Sequence, residues 1–79
     1  MTNLEKYVAA FEETFMVVQS DCAELEYQSI EAWDSVGHMA LMASLEDAFD
    51  IELDIDDIIE FSSFEYGKEI MKKYEVPVE

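Results

Sequence analysis

The sequence is short of the residues that crosslink a small fold or bind nucleic acid. Among its 79 residues there is one cysteine, Cys22, which excludes an internal disulfide and a zinc site built from several thiolates. Lys and Arg together number 4 against 20 Asp and Glu, so the formal net charge is −16. Because phosphates repel such a surface, the charge argues against nucleic-acid binding and favours basic protein partners.

Long apolar runs are also missing. No segment approaches the length that spans a bilayer, and the N-terminus lacks the basic-then-apolar pattern of a secretory signal. A single thiol suits a reducing compartment, so we expect a cytoplasmic protein with no membrane span. We expect Cys22 itself to be a loop or half-buried residue without chemistry.

The rest of the sequence is rich in apolar side chains. Of all residues, 51% are hydrophobic and 13% are aromatic, which is more than a disordered acidic tail carries. The length is near the lower limit for a self-sufficient core. The sequence therefore predicts one domain over residues 1–79. We expect a monomer, because no apolar stripe is left over beyond what this core needs.

Glycine and proline are scarce, so the pattern predicts helices joined by irregular polar loops. A first helix is predicted over residues 2–17, opened by a capping box between Thr2 and Glu5. Residues 18–33 have no sustained period and are predicted to form a long loop. Four side chains of this loop are spaced to anchor it on the core: Leu25, Tyr27, Ile30 and Trp33.

Three further helices are predicted. The second begins at Asp34 or Ser35, ends near residue 50, and should bury Leu41, Leu45, Ala48 and Phe49. A short third helix over residues 56–61 should turn Ile55, Ile58 and Ile59 inward. The last helix, over residues 63–74, should open with a capping box between Ser62 and Glu65. The predicted fold is all-α, a small four-helix bundle with a long first loop and a short third helix.

The segment with the most chemical information joins the long loop to the second helix, over residues 33–39. The Ser35 hydroxyl should lie beside backbone N–H groups that have no helical partner, where the helix dipole favours an attached anion. Asp34 stands next to it and could hold a divalent cation during phosphoryl transfer. A simpler interpretation is that Asp34 or Ser35 only caps the helix.

The run Asp34-Ser35-Val36, followed by Leu41, Leu45-Glu46-Asp47, Phe49 and Ile51, resembles the signature of the acyl carrier protein family. The resemblance covers most of the chain and includes the order of the predicted helices. It implies that Ser35, beside Asp34, receives phosphopantetheine from coenzyme A through a separate phosphopantetheinyl transferase. The chain would then be a non-catalytic carrier that holds acyl groups as thioesters.

The resemblance also implies partners. Carriers of this family dock their acidic second helix against basic patches on acyl-loading and acyl-processing enzymes. Glu46 and Asp47 match the acidic recognition positions, and Val36 and Met39 match apolar positions near the serine. The helical spacing independently places four residues on a face distinct from Leu41 and Leu45: Ser35, Met39, Met42 and Glu46. Core filling by Met39 and Met42 is the alternative.

The sequence departs from carriers of housekeeping fatty-acid synthesis. Gly37 and Ala40 stand where those carriers usually have acids, and Trp33 replaces a small residue. The run from Trp33 to Met39 looks more like stand-alone carriers of specialised pathways, such as polyketide, aminoacyl or sugar-modifying ones. A housekeeping carrier and an unmodified acidic adaptor remain as alternatives.

Two alternatives of other classes fit less well. Asp50, Glu52, Asp54 and Asp56 are spaced like calcium-loop ligands, but the sixth position lacks glycine and the twelfth lacks glutamate. Ser35 and His38 could begin a hydrolase site, but the orienting acid, the oxyanion hole and the Gly-x-Ser-x-Gly elbow are missing. We expect His38 to be a helix-surface or subpocket residue.

Overall fold

Five helices make up the regular structure of residues 2–78. The computed structural model describes residues 2–78, so residues 1 and 79 of the predicted domain lie outside the described part. The helices are α1 (Asn3–Phe15), α2 (Gln19–Cys22), α3 (Ser35–Phe49), α4 (Ile55–Glu60) and α5 (Phe64–Lys72). Across residues 2–78 there is no strand, and the only β-type pairing is an isolated antiparallel bridge between Glu26 and Ser63. The all-helical class is confirmed.

The first helix begins as predicted. The Thr2 side chain accepts from the Glu5 N–H at 3.1 Å, and the Thr2 N–H donates to Glu5 Oε1 at 2.9 Å. This capping box gives two backbone N–H groups at the start of the helix a hydrogen-bond acceptor. The helix ends at Phe15, because Met16 adopts a left-handed conformation with φ 57°. Its buried face carries Tyr7, Val8, Phe11 and Phe15.

The prediction of a continuous loop over residues 18–33 is wrong at Gln19–Cys22, which form α2. One helical turn is too short to show an apolar period, so the pattern could not reveal it. The Cys22 thiol is also more buried than expected, at 1% exposure, and contacts the Val18 carbonyl at 3.6 Å. Burial raises the pKa of Cys22, which keeps the sulfur in the unreactive thiol form.

The rest of this loop is tied to the segment before α5. The Tyr27 N–H donates to the Ser62 carbonyl at 2.8 Å, and the Phe64 N–H donates to the Leu25 carbonyl at 2.9 Å. Leu25 and Trp33 are buried core residues, as predicted. Tyr27 is 38% exposed and Ile30 is only partly buried, so two of the four expected anchors lie at the edge of the core.

The third helix packs mainly on α1. Leu41 and Leu45 are buried as predicted, whereas Ala48 is exposed and Phe49 is only partly buried. Met42 is 1% exposed and belongs to the core, so the expected common face with Ser35 and Met39 is interrupted. Residue spacing fixes which side chains share a face, but the neighbouring elements decide how wide the exposed strip is.

The inward orientation predicted for α4 is wrong. Ile55 and Ile59 are 72% and 73% exposed, and only Ile58 packs partly against the core. Asp57 is the residue that turns inward: it accepts from Lys73 Nζ at 2.9 Å and from the Tyr74 hydroxyl. Since both partners lie after α5, these bonds fix the rotation of α4 and leave two isoleucines in solvent.

The last helix is capped by Ser63 rather than by the predicted Ser62. The Ser63 hydroxyl accepts from the Tyr66 N–H at 2.9 Å. Residues 62–64 pair with residues 25–27, which keeps the chain extended for one residue longer than the capping pattern suggested. Gly67 lets α5 approach the core closely, since an added Cβ would lie 2.2 Å from Phe61 Cζ and 2.2 Å from Tyr7 Oη.

Candidate functional site

Ser35 is the first residue of α3, a helix of 15 residues, and its side chain is exposed. The preceding residue, Asp34, is the N-cap, and its Oδ1 accepts from the Gly37 N–H at 2.8 Å. Of the two residues that could have capped the helix, Asp34 therefore does so. The Ser35 hydroxyl is left at the helix N-terminus, where free backbone N–H groups and the dipole favour a bound anion.

An open cavity of about 390 Å³ begins at Ser35 and runs between α3 and α4. We call it the serine groove. Three residues of α3, namely Ser35, His38 and Met39, form one side, and Ile58 and Ile59 of α4 form the other. An oxygen nucleophile thus stands at the end of a largely apolar channel open to solvent.

His38 connects three parts of the chain at the base of this groove. The Trp33 indole N–H donates to His38 Nδ1 at 2.9 Å. An indole can only donate, so Nδ1 must accept, and Nε2 carries the proton that is donated to the Ile58 carbonyl at 2.6 Å. Both ring nitrogens are engaged, which leaves neither of them to take a proton from Ser35 as a hydrolase base would.

Aromatic side chains fill the interior behind His38. Trp33 is fully buried, stacks on Phe15 at 5.1 Å between ring centroids, and meets Phe11 edge-on at 5.6 Å. Phe61, which is 1% exposed, lines the serine groove and meets the His38 ring edge-on at 6.3 Å. The groove is therefore bounded on its inner side by packed rings.

The predicted recognition residues do not form one surface. Val36 and Met39 are 76% and 55% exposed, but only Met39 lines the serine groove. Glu46 is partly buried, and its Oε2 accepts from the Leu53 N–H at 2.8 Å, which ties α3 to the segment before α4. Asp47 lies on another side of α3, beside Lys6 of α1. Ser35 and Met39 thus line the same groove, with Asp34 next to Ser35 in the chain, whereas Glu46 and Asp47 do not line it.

A second surface next to the groove was missed by the sequence analysis. Ile55 and Ile59 project from α4 among the acidic side chains of Asp56 and Glu60, and Ile59 also lines the serine groove. The signal was present in the composition of residues 54–60, which are acids and isoleucines only. It was misinterpreted because apolar residues at helical spacing were assigned to the core.

The acidic run over residues 50–56 does not gather into a ligand set. Within residues 2–78, no group of three or more His, Cys, Asp or Glu side chains is placed to hold a metal ion. In the same part of the chain, no helix has both the length and the apolar composition that crossing a bilayer requires.

No known relative was found. No protein-family model, no curated protein and no solved structure matches this chain. The geometry around Ser35 and the sequence pattern that surrounds it are therefore the features that bear on function.

Proposed function

We propose that this chain is an acyl carrier protein. It carries acyl or aminoacyl groups as thioesters on a phosphopantetheine arm attached to Ser35, and it serves a specialised biosynthetic pathway. In this proposal α1, α3, α4 and α5 are the four helices of the carrier bundle, and α2 is a turn within its long first loop. The observation that carries the proposal is the exposed Ser35 hydroxyl at the start of α3, beside an apolar groove.

The residues around Ser35 fit a phosphodiester. The helix dipole favours a negative charge on the Ser35 oxygen, and Asp34 fixes the first turn of α3 by accepting from the Gly37 N–H. A transferase with magnesium would form the bond between Ser35 Oγ and phosphorus as the pyrophosphate P–O bond of coenzyme A breaks and adenosine 3′,5′-bisphosphate leaves. The hydroxyl proton would pass to a base of that transferase. The attached arm supplies a terminal thiol that holds the acyl group.

The decisive test is the intact mass of the protein after incubation with coenzyme A, magnesium and a broad-specificity phosphopantetheinyl transferase. The wild-type chain should gain one phosphopantetheine, and Ser35→Ala should gain none. Ser62→Ala is the matched control, because Ser62 also lines the serine groove and should leave the modification intact. Modification that persists in Ser35→Ala, or a wild-type chain that is never modified, would contradict the proposal.

The partners of this carrier should present a basic surface with an apolar centre. Close to Ser35 the chain offers exposed Val36 and Met39, and α4 adds Ile59 with the exposed acids Asp56 and Glu60. With a net charge of −16, electrostatic attraction should raise the rate of encounter with an enzyme that has a basic docking patch. The transferase is the first partner on which this can be measured.

This partner model predicts a salt dependence. At low transferase concentration, the rate of Ser35 modification should fall as ionic strength rises, because screening shortens the reach of exposed charges. The double substitution Asp56→Asn with Glu60→Gln should lower the rate at low salt and flatten the salt dependence. Glu13→Gln, on α1, removes an exposed charge away from the groove and should change neither by as much. A salt-insensitive rate would count against acidic docking.

One contact supports a specialised pathway over housekeeping fatty-acid synthesis. A Cβ at Gly37 would lie 1.9 Å from the Ala32 carbonyl oxygen, so the segment before α3 lies directly against the helix backbone. An acidic side chain, which housekeeping carriers usually have at this position, would displace that segment. The packing at the first turn of α3 therefore favours glycine at position 37.

A further inference from the structure

We propose that His38 is a specificity-determining residue that keeps the interior of the protein closed to the group carried on Ser35. The cargo then stays in the serine groove, and the chain suits short acyl or aminoacyl groups rather than long acyl chains. This inference rests on the proposed function of Ser35 and adds to it the class of cargo.

One of the two His38 hydrogen bonds joins α3 to α4. His38 Nε2 donates to the Ile58 carbonyl at 2.6 Å, and Ile58 lies in α4, which has only six residues. The last carbonyls of a helix have no partner within it, so His38 supplies the bond that this end of α4 lacks. The bond holds α4 against α3 where a chain entering from Ser35 would have to separate them.

The other His38 hydrogen bond joins it to the buried core behind the groove. His38 Nδ1 accepts from the indole of Trp33, which is fully buried. Displacing the imidazole would leave that N–H without a partner inside the core. Phe61, whose ring meets His38 edge-on, and Met42, one helical turn after His38 in α3, are each 1% exposed. An entering chain would therefore break two hydrogen bonds and displace packed side chains before it buried its first methylene groups.

The serine groove is the space that remains for a group carried on Ser35. The serine groove, at about 390 Å³, is lined by Met39, Ile58 and Ile59 on its outer part and is open to solvent. A short acyl group on a flexible arm can lie there without moving α4. Because the groove is open to solvent, additional methylene groups that lie in it stay in contact with water and gain far less burial than in the closed interior, so chain length should change the stability of the loaded protein little.

The experiment compares a two-carbon with a ten-carbon group on residue 35. In one arm, the transferase loads Ser35 from acetyl- or decanoyl-coenzyme A. In the other arm, Ser35→Cys in a Cys22→Ala background is converted to mixed disulfides with ethyl or decyl thiosulfonate reagents. Trp33 is the only tryptophan of the chain, so its indole N–H gives one NMR signal that reports on the His38 bond.

In the wild type, the melting temperatures with the short and the long group should agree to within about 1 °C, and the indole signal should be the same for both. In His38→Ala, the long group should raise the melting temperature by about 5 °C or more over the short group, because methylene groups can now be buried. Met16→Ala is the control, since a groove-lining residue such as Met39 could itself change cargo burial. Met16 is 88% exposed, lies outside the groove and leaves both His38 bonds intact, so this variant should behave like the wild type.

A wild-type melting temperature that rises with chain length, or an indole signal that moves with the decyl group, would overturn the inference. A His38→Ala protein that stays insensitive to chain length would do so as well. If His38→Ala does not fold, His38→Asn carries the same comparison, since it keeps an acceptor near the indole and frees the Ile58 carbonyl. Failure of the transferase to modify Ser35 would refute the proposed function, whereas the Ser35→Cys arm would still decide the role of His38.

Discussion

The short helices α4 and α5 both carry apolar side chains at helical spacing, yet they use them differently. In α5, Phe64, Ile70 and Met71 are at most 3% exposed, whereas in α4 Ile55 and Ile59 are more than 70% exposed. In α5, Gly67 has no Cβ, so the Phe61 and Tyr7 side chains can lie directly against its backbone. In α4, the inward carboxylate of Asp57 turns the isoleucines outward. One helix therefore stabilises the fold, while the other leaves two large apolar side chains on the surface.

The largest expected effect comes from replacing one buried residue of α5 and one exposed residue of α4 by alanine. Phe64→Ala removes a ring of α5 that is 3% exposed and should lower the free energy of unfolding by about 3–5 kcal/mol. Ile59→Ala removes a side chain that is 73% exposed and should change it by less than about 0.5 kcal/mol. Urea unfolding measures both. A loss above about 1 kcal/mol for Ile59→Ala would place α4 in the core and remove the distinction.

The next test concerns the close approach of α5. Alanine normally stabilises a helix relative to glycine by about 1 kcal/mol. At Gly67, however, the added Cβ would overlap Phe61 and Tyr7, so Gly67→Ala should destabilise the protein by about 1–3 kcal/mol. Glu69→Ala, an exposed position of the same helix, should stay within about 0.5 kcal/mol of the wild type. A more stable Gly67→Ala protein would contradict the packing at this position.

Local signals in the sequence were enough to place the elements that position Ser35. The Thr2–Glu5 capping box and the start of α3 depend on residues within four positions of each other, and both are confirmed. The failures involve distant partners. Two adjacent serines compete to cap α5, and pairing with residues 25–27 selects Ser63. The rotation of α4 depends on the bonds from Asp57 to Lys73 and Tyr74, which follow it by 16 and 17 positions in the sequence. The periodic pattern within a helix gives no information about such contacts.

The same limit applies to the candidate site. The exposure of Ser35 followed from a helix start, but the role of His38 did not, because one of its partners, Ile58, lies 20 residues away. The sequence predicted His38 to be a helix-surface or subpocket residue, with a hydrolase base as the alternative, and His38 does line the serine groove. Its two hydrogen bonds give it a different task, namely to connect the loop, α3 and α4.

A third prediction concerns how much the two His38 hydrogen bonds stabilise the protein without an attached group. His38→Ala leaves the buried indole N–H of Trp33 without its acceptor and should lower the free energy of unfolding by about 1–2 kcal/mol. His38→Asn should recover part of this loss, because its side-chain oxygen can accept from the indole. Met39→Ala, which lines the same groove but makes neither bond, should have the smaller effect. Equal stability of His38→Ala and the wild type would mean that the two bonds contribute nothing.

The smallest expected effect tests what orients α4. The Tyr74 hydroxyl and then the Lys73 ammonium hold the pKa of Asp57 below its ordinary value of about 3.9. A depressed pKa in the folded state means that the stabilisation is complete above about pH 4 and is lost as the pH falls through the lower folded value. Asp57→Asn should therefore be less stable than the wild type at pH 7 and should lose less between pH 4 and pH 2.

Asp56→Asn is the matched control for this pH dependence, because both substitutions remove one negative charge from the same helix and change the overall repulsion equally. Asp56 is exposed, whereas Asp57 is 8% exposed and bonded to the chain after α5. Asp56→Asn should therefore follow the wild-type acid unfolding curve. If the two variants have the same curve, general charge repulsion rather than the Asp57 bonds governs acid unfolding. The outward orientation of Ile55 and Ile59 would then need a different cause.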